Sequence, residues 1–203
     1  MNDLGIVDGV TTNPSIIARE GKDRKQTLIR ICGMVDGPVS GEVLALDTEG
    51  MVNEGIEISK RHPNMVVKIP LTQAGIGAVS RLSKMGIKTN VTTVYSASQA
   101  LLAAKAGATY VSPFVSRSDN VLMDGMQMLR DICEVYRVQG IQTQVLAASM
   151  RTPTYVVEAA RGCGCGHDPL CDNEKMFWHP MTDVSIDDFM KDWKNAMGDA
   201  RIL

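Results

Sequence analysis

The sequence predicts an α/β fold, with a parallel sheet closed into a (β/α)8 barrel and its helices outside. Strand-like and helix-like segments alternate strictly through six units, the pattern of parallel strands joined by helical crossovers. The strand segments are short apolar runs such as Asn64-Met65-Val66-Val67-Lys68-Ile69-Pro70, as expected where both faces of a sheet are covered. No Gly-x-Gly-x-x-Gly follows any strand, so a doubly wound dinucleotide fold has no support, and an unbroken series of units favours closure.

Residues 5–10 read as a strand running into Thr11-Thr12-Asn13-Pro14-Ser15, where Pro14 suits the first turn of a short helix over 15–19. Leu28, Ile31, Cys32 and Val35 have helical spacing over 24–35. A strand at 38–46 carries Glu42, a helix follows at 48–61, and then comes the strand that holds Lys68. The helix opened by Thr72 runs to 85 and stops at Gly86, a residue that accepts the left-handed terminal conformation. Next are a strand rich in threonine and valine over 87–94, an alanine-rich helix over 96–106, and a strand over 110–115. A long helix over 119–138, a strand over 143–148 and a helix over 153–160 complete the sixth unit.

After Gly162 the pattern fails, because residues 162–171 hold no apolar run that makes a strand. Order returns at Glu174, and the chain closes with an amphipathic helix over about 185–198. Ile186, Phe189, Met190, Trp193 and Met197 share one face of it, and Ser185 with Asp188 predicts a capping box at its entrance. Such a face packs against its own barrel or against a neighbouring subunit. Residues 1–203 read as a single domain.

Composition narrows the function classes. The hydrophobic fraction of 44% and charged fraction of 22% suit an ordinary globular core, built on aliphatics and 13 methionines because aromatics reach only 4%. A net charge of −2 argues against nucleic acid or an acidic membrane surface as partner. No apolar segment approaches the ~20 residues that cross a bilayer, and the first residues show no basic or apolar signal region, so the expected location is cytoplasmic. Five cysteines, an odd number, do not suggest a disulfide framework, and Cys32 and Cys133 fall in helical patterns as small buried hydrophobes.

Lys68 is the residue around which a function can be built. A strand covered on both faces desolvates its ammonium, and desolvation lowers the pKa towards a neutral amine able to form a Schiff base with a carbonyl. A strand-end lysine that snorkels its head group into water is the plainer alternative. Polar and ionisable residues recur at the carboxyl ends of the other strands, where barrel enzymes build their sites. They are Asn13, Glu42, Asn90 with Thr92, Ser112 with Arg117, and Ser149 with Arg151.

These segments resemble the small transaldolases, a family that includes the fructose-6-phosphate aldolases. The likeness is carried by Gly9-Val10-Thr11-Thr12-Asn13-Pro14-Ser15, Val66-Val67-Lys68-Ile69-Pro70, Thr89-Asn90-Val91-Thr92, Tyr110-Val111-Ser112-Pro113-Phe114-Val115 with Arg117, and Ala147-Ala148-Ser149 with Arg151. It covers roughly residues 4–162 and 174–195. The resemblance implies that Lys68 is the Schiff-base lysine, that Glu42 is an acid/base working through a bound water, and that Thr92 helps hold that water. It implies that Asn13, Asn90 and Ser112 line a pocket for a dihydroxyacetone unit, and that Arg117, Ser149 and Arg151 bind phosphate, for which guanidinium groups are apt. Plain aldolases of the family resemble one another in a tyrosine where this chain has Phe114 and a glutamine where it has Glu42, so these two residues favour transaldolase. The implied activity moves a dihydroxyacetone unit between sugar phosphates in the pentose phosphate route, needs no metal or organic cofactor, and belongs to a ring-forming homo-oligomer. Cleavage that releases free dihydroxyacetone is the alternative.

Two parts of the family pattern have no match. Relatives carry a first strand with a catalytic aspartate that serves the C4 hydroxyl, and Asp3 and Asp8 stand in a different context. Loss of a positioned acid/base group lowers a rate by about 10²–10⁴-fold, which leaves a catalytically degenerate binding or assembly subunit as a further reading. Residues 163–173 replace the eighth strand, so the barrel is expected to be incomplete where strands one and eight would meet, with exposed sheet edges. We read the stretch as a short out-of-frame version of an ordinary strand, since family-like sequence resumes at Glu174 without a change of length. The rival is a zinc site of Cys163, Cys165, His167 and Cys171, against which stands the single residue between the first two cysteines, where structural zinc sites space theirs by two to four.

Overall fold

Six strands form an all-parallel half-barrel sheet in chain order: β1 (Val10–Thr11), β2 (Val39–Glu42), β3 (Met65–Pro70), β4 (Thr89–Val94), β5 (Tyr110–Pro113) and β6 (Gln144–Val145). The structure, a computed structural model, describes residues 2–163 and 176–198. Two compact units divide the chain, Met1–Pro169 and Leu170–Leu203, and the sheet belongs to the first. Between the strands run α1 (Pro14–Arg19), α2 (Arg24–Met34), α3 (Thr48–Ser59), α4 (Gln73–Lys84), α5 (Ala97–Lys105), α6 (Val115–Asp119) and α7 (Gly125–Val138), with α8 (Pro153–Cys163) after β6.

Local chemistry sets the helix starts. Asp23, Asp47, Thr72, Ser96 and Asp124 each stand just before a helix and accept the amide N–H three residues on, at 2.7 to 3.2 Å. Gly86 and Gly107 follow the ends of α4 and α5 with φ of 74° and 87°, a region that costs other residues a steric penalty.

The two faces of the sheet differ in character. A Cβ on Gly41 would meet side chains of Leu28 and Ile58, and one on Gly55 of α3 would meet Val67, so Gly41 and Val67 face the helices. Val39, Val67, Ile69, Val91 and Val111 share that side and build the hydrophobic core with Leu28, Met51, Val79, Leu82 and Ile132. Period-two alternation then sends Ser40, Glu42, Lys68 and Asn90 to the opposite face.

Several expectations are corrected. The corrections are local, for the described residues form a six-stranded parallel α/β sheet consistent with the expected incomplete barrel. The strand predicted over 5–10 shrinks to Val10–Thr11, because β2 begins at Val39 opposite Val10 and earlier residues have no strand beside them among the described residues. The helix predicted over 119–138 starts only at Gly125, and residues 115–119 form a separate short helix. Leu122 takes φ 60°, Asp119 Oδ1 accepts the Gly125 N–H at 3.0 Å, and a Cβ at position 125 would lie 2.3 Å from the Val115 carbonyl oxygen, so only glycine allows that approach. Cys32 is buried as a small hydrophobe, whereas Cys133, at the margin of the buried face of α7, is half-buried and disulfide-bonded.

In the second unit a helix runs from Pro180 to Met197, five residues earlier than its expected start. His179 caps it through Nδ1, which accepts the Met181 N–H at 3.2 Å, and Ser185 instead donates to the Met181 carbonyl inside the helix. The stretch read as out of frame or as a zinc site, 163–173, lies outside the described residues apart from the backbone of Cys163, which ends α8. No helix among the described residues is long and apolar enough to cross a membrane.

Leu82 tests the helix-side core, since it is fully buried on α4 against α3. Leu82→Ala is expected to cost about 2–5 kcal/mol in urea unfolding, a deletion that no rearrangement of a packed core fully refills.

Candidate active site

Parallel register brings the polar face together. Glu42 on β2 pairs with Lys68 on β3, and Lys68 pairs with Asn90 on β4, so the three side chains stand side by side across three strands. Lys68 is 5% exposed. Its Nζ lies 3.1 Å from Glu42 Oε2 and donates to the Thr12 carbonyl at 3.0 Å. The glutamate contact is an ion pair set off the hydrogen-bonding angle, for Glu42 Oε2 makes no aligned hydrogen bond among the described residues. The snorkelling alternative is thereby removed: the amine is inside, against a carboxylate.

Beside the pair runs a hydroxyl–amide chain. Ser112 donates from Oγ to Asn90 Oδ1 at 2.8 Å, and Asn90 donates from Nδ2 to Ser40 Oγ at 3.2 Å. Asn90 is fully buried and held from both sides by these two hydroxyls. Thr92 follows the core residue Val91 where the β4–β5 register shifts, and its fully buried Oγ1 has no protein partner among the described residues. Ser40 and the Thr12 carbonyl are participants that sequence reasoning missed. Ser40 hides between Val39 and Gly41, and only the hydrogen bond across β3 ties it to Asn90.

Glu42 is steadied by its surroundings. Glu54 of α3 accepts the Leu44 N–H at 2.6 Å and the Ala45 N–H at 3.2 Å, pinning the chain that leaves β2 just past Glu42. Arg24, at the start of α2, was also missed. Burial pulls its pKa below the ordinary guanidinium value, with nearby Arg61 acting the same way and Glu54 and Glu42 opposing. It remains a cation on the α2 side of the two glutamates.

The residues assigned to phosphate gather at the ends of β5 and β6. Phe114 bridges Ala148, Val115 N–H donates to the Ala148 carbonyl at 2.9 Å, and Ser116 N–H to the Ser149 carbonyl at 3.2 Å. Ser149 turns the chain with φ 62°. Arg117 and Arg151 are both exposed. The Arg117 guanidinium sits over the Phe114 ring, 4.7 Å from its centroid, and Tyr95 meets that ring edge-on at 5.9 Å. Asn13 follows Thr12, whose carbonyl Lys68 meets, and its Oδ1 accepts the Ser15 N–H at 2.8 Å in the first turn of α1. Asp3 and Asp8 are exposed.

Comparison with known proteins gives this geometry its context. A family model described as transaldolase/fructose-6-phosphate aldolase matches residues 1–167. A probable transaldolase of Clostridium acetobutylicum is 50% identical over 197 residues, covering 97% of this chain and 92% of that protein. One from Methanococcus maripaludis strain C7 is 53% identical with the same coverage, and one from Clostridioides difficile is 50% identical over 96% of this chain and 91% of that protein. Among solved structures, inosine 5'-monophosphate dehydrogenase from Legionella pneumophila is similar with a TM-score of 0.53 at 12% identity, over 79% of this chain and 57% of that one. At that identity the likeness concerns the fold alone. Fold and site together define a parallel α/β half-barrel with an ionisable cluster on its polar sheet face. Within that class the chain belongs to the transaldolase/fructose-6-phosphate aldolase family and is an enzyme of aldolase and transaldolase type.

Two substitutions separate structural from idle polar groups on this face. Asn90→Ala strips partners from buried Ser40 and Ser112 and is expected to cost about 1–3 kcal/mol in urea unfolding. Thr92→Val removes a hydroxyl without a protein partner among the described residues, and its stability is expected to stay within about 1 kcal/mol of the parent.

Proposed function

We propose that the chain is a transaldolase that carries a dihydroxyacetone unit from a ketose phosphate to an aldose phosphate on Lys68. The observation that supports this most directly is the buried Lys68 amine, 3.1 Å from Glu42 and beside Asn90. The relatives at 50% identity and above are named probable transaldolases, which supports the same reading.

Lys68 Nζ adds to the C2 carbonyl of the ketose, and loss of water, with Glu42 supplying and removing the protons, leaves an iminium. Glu42 is close enough to take the ammonium proton that must leave before the amine can attack. The C3–C4 bond then breaks. Its electron pair moves into the iminium to give an enamine, the C4 hydroxyl proton passes to water, and the aldose phosphate is released. The enamine carbon attacks the aldehyde of a second aldose phosphate, and water frees the product ketose from Lys68. Thr92 Oγ1, which no protein group occupies among the described residues, suits the water that relays protons to Glu42. Asn90 and Ser112 meet the hydroxyls of the bound three-carbon unit. Asn13, whose carbonyl oxygen is engaged by Ser15, would offer its amide N–H groups. Arg117, Ser149 and Arg151 would grip the phosphate.

The choice between transfer and simple cleavage turns on Phe114. Its ring carries no hydroxyl, so it cannot pass a proton to the enamine, and it serves instead as the seat for Arg117. An enamine left unprotonated persists until an acceptor aldehyde arrives, which favours transfer over release of dihydroxyacetone.

Borohydride treatment in the presence of a ketose phosphate is expected to fix a reduced three-carbon adduct on the peptide containing Lys68, read by mass spectrometry, and Lys68→Met to abolish it. Absence of an adduct in the parent would support a binding or assembly subunit instead. Glu42→Gln is expected to lower kcat by about 10²–10⁴-fold, the usual worth of a positioned acid/base group. Product formation that requires an added aldose phosphate distinguishes the transaldolase from an aldolase, which releases dihydroxyacetone without one.

A further inference from the structure

The two arginines of the proposed phosphate grip stand on different segments. Arg117 lies in the short helix α6, and Arg151 in the turn between β6 and α8. Exposed arginine side chains have many rotamers, and bidentate recognition of a phosphate needs two of them at a set separation. Backbone hydrogen bonds from Val115 and Ser116 tie the entrance of α6 to Ala148 and Ser149, in the segment after β6, but they lie at only one end of that helix.

The other end is tied by side chains. Asp119, the last residue of α6, accepts the Tyr155 hydroxyl on Oδ2 at 2.9 Å and the Gly125 N–H on Oδ1 at 3.0 Å. Asn120 accepts Arg151 Nη1 on Oδ1 at 3.2 Å. Tyr155, in the first turn of α8, follows Arg151 by four residues, so the Tyr155–Asp119 bond and the Arg151–Asn120 bond join the same two segments in parallel.

The division of charge between the two neighbours matters. Both carboxylate oxygens of Asp119 are taken by Tyr155 and Gly125, and the group that touches Arg151 is a neutral amide. Arg151 is therefore oriented without having its charge cancelled. The Tyr155 phenol is held above the ordinary tyrosine value by the hydrogen bond to Asp119, then by burial, so it stays a donor across the neutral and mildly alkaline range.

We propose that Tyr155, Asp119 and Asn120 are positioning residues that hold Arg117 and Arg151 in register as a two-pronged grip for the phosphate ester of the substrate. The inference rests on the reading of Arg117 and Arg151 as phosphate-binding side chains.

Tyr155→Phe removes one hydroxyl, and Asn120→Ala removes the amide that orients Arg151. Each is compared with the parent and with Arg151→Ala in kcat and KM for a ketose phosphate, in kcat/KM for the same ketose without phosphate, and in the Kd of inorganic phosphate. The expected result is a KM for the phosphorylated donor, and a phosphate Kd, raised by roughly 3- to 10-fold, as fits one lost hydrogen bond, with kcat and the unphosphorylated donor unmoved. A purely structural role would lower the rates for both donors together, and that overturns the proposal. It is equally overturned if Arg151→Ala weakens phosphate binding while Tyr155→Phe and Asn120→Ala do not. If Arg151→Ala changes neither KM nor Kd, the phosphate reading itself fails and the positioning role falls with it. Should Tyr155→Phe fold poorly by its urea midpoint, Asn120→Ala, at an exposed position, decides alone.

Discussion

The ion pair between Lys68 and Glu42 is the constraint to which the rest of the molecule answers. Taking an ammonium and a carboxylate out of water costs several kcal/mol per ion in real proteins, and their attraction repays it only when geometry and further hydrogen bonds are favourable. Here the geometry is partial. The amine has the Thr12 carbonyl as a second partner, while the glutamate oxygen that faces it has no aligned hydrogen bond among the described residues. A pair like this is a poor stabiliser, and an apolar pair of similar volume would suit a merely structural sheet better. Its presence makes sense if the two groups must exchange a proton, which requires them to be close, dry and not locked together.

That arrangement forces a division of labour on the sheet. One face carries the polar series Ser40, Glu42, Lys68, Asn90, Thr92 and Ser112, so little stabilisation can come from it. The opposite face must hold the fold, and it does so with fully buried valines, Ile69, Leu28, Leu82 and Ile132 packed under α2, α3, α4 and α7. Alternation at a period of two makes both faces from the same strands. In β3 the residues Val67 and Ile69 anchor the core while the lysine between them points the other way. A shift of one residue in that strand would exchange the two, burying the amine among valines.

The parts legible in the sequence were those written in local chemistry. Thr72, Ser96 and the aspartates at 23 and 47 mark helix starts because a side-chain oxygen within reach of the third amide is a short-range fact. The Lys68 strand was legible because its apolar run is bounded by proline. What escaped depended on pairing. The strand expected over 5–10 lacks a neighbour, and an apolar run without one stays irregular. The break at residues 120–124 was written as Asp124 before Gly125, a turn signal masked by helix formers on both sides, and its necessity shows only where Val115 presses against the glycine. Ser40, Arg24 and Tyr155 escaped for the same reason. Each reaches a partner on another segment, and a single sequence holds no distances.

Two of the buried hydroxyls without a protein partner show why position on the sheet decides the meaning of such a group. Thr89 and Thr92 are both fully buried on β4, and neither Oγ1 finds a partner among the described residues. Thr89 alternates with Asn90 and so lies on the helix side, where the surroundings are aliphatic and an idle hydroxyl is only a modest penalty. Thr92 follows Val91 onto the polar side, the side of Lys68, Glu42 and Asn90, where a water would have several groups to bond. The same chemical defect is thus a tolerated cost on one face and a fitting on the other. Regular alternation from Asn90 brings Thr92 there, opposite Pro70 of β3, and the register shift against β5, with Thr93 at φ 59°, leaves that placement intact.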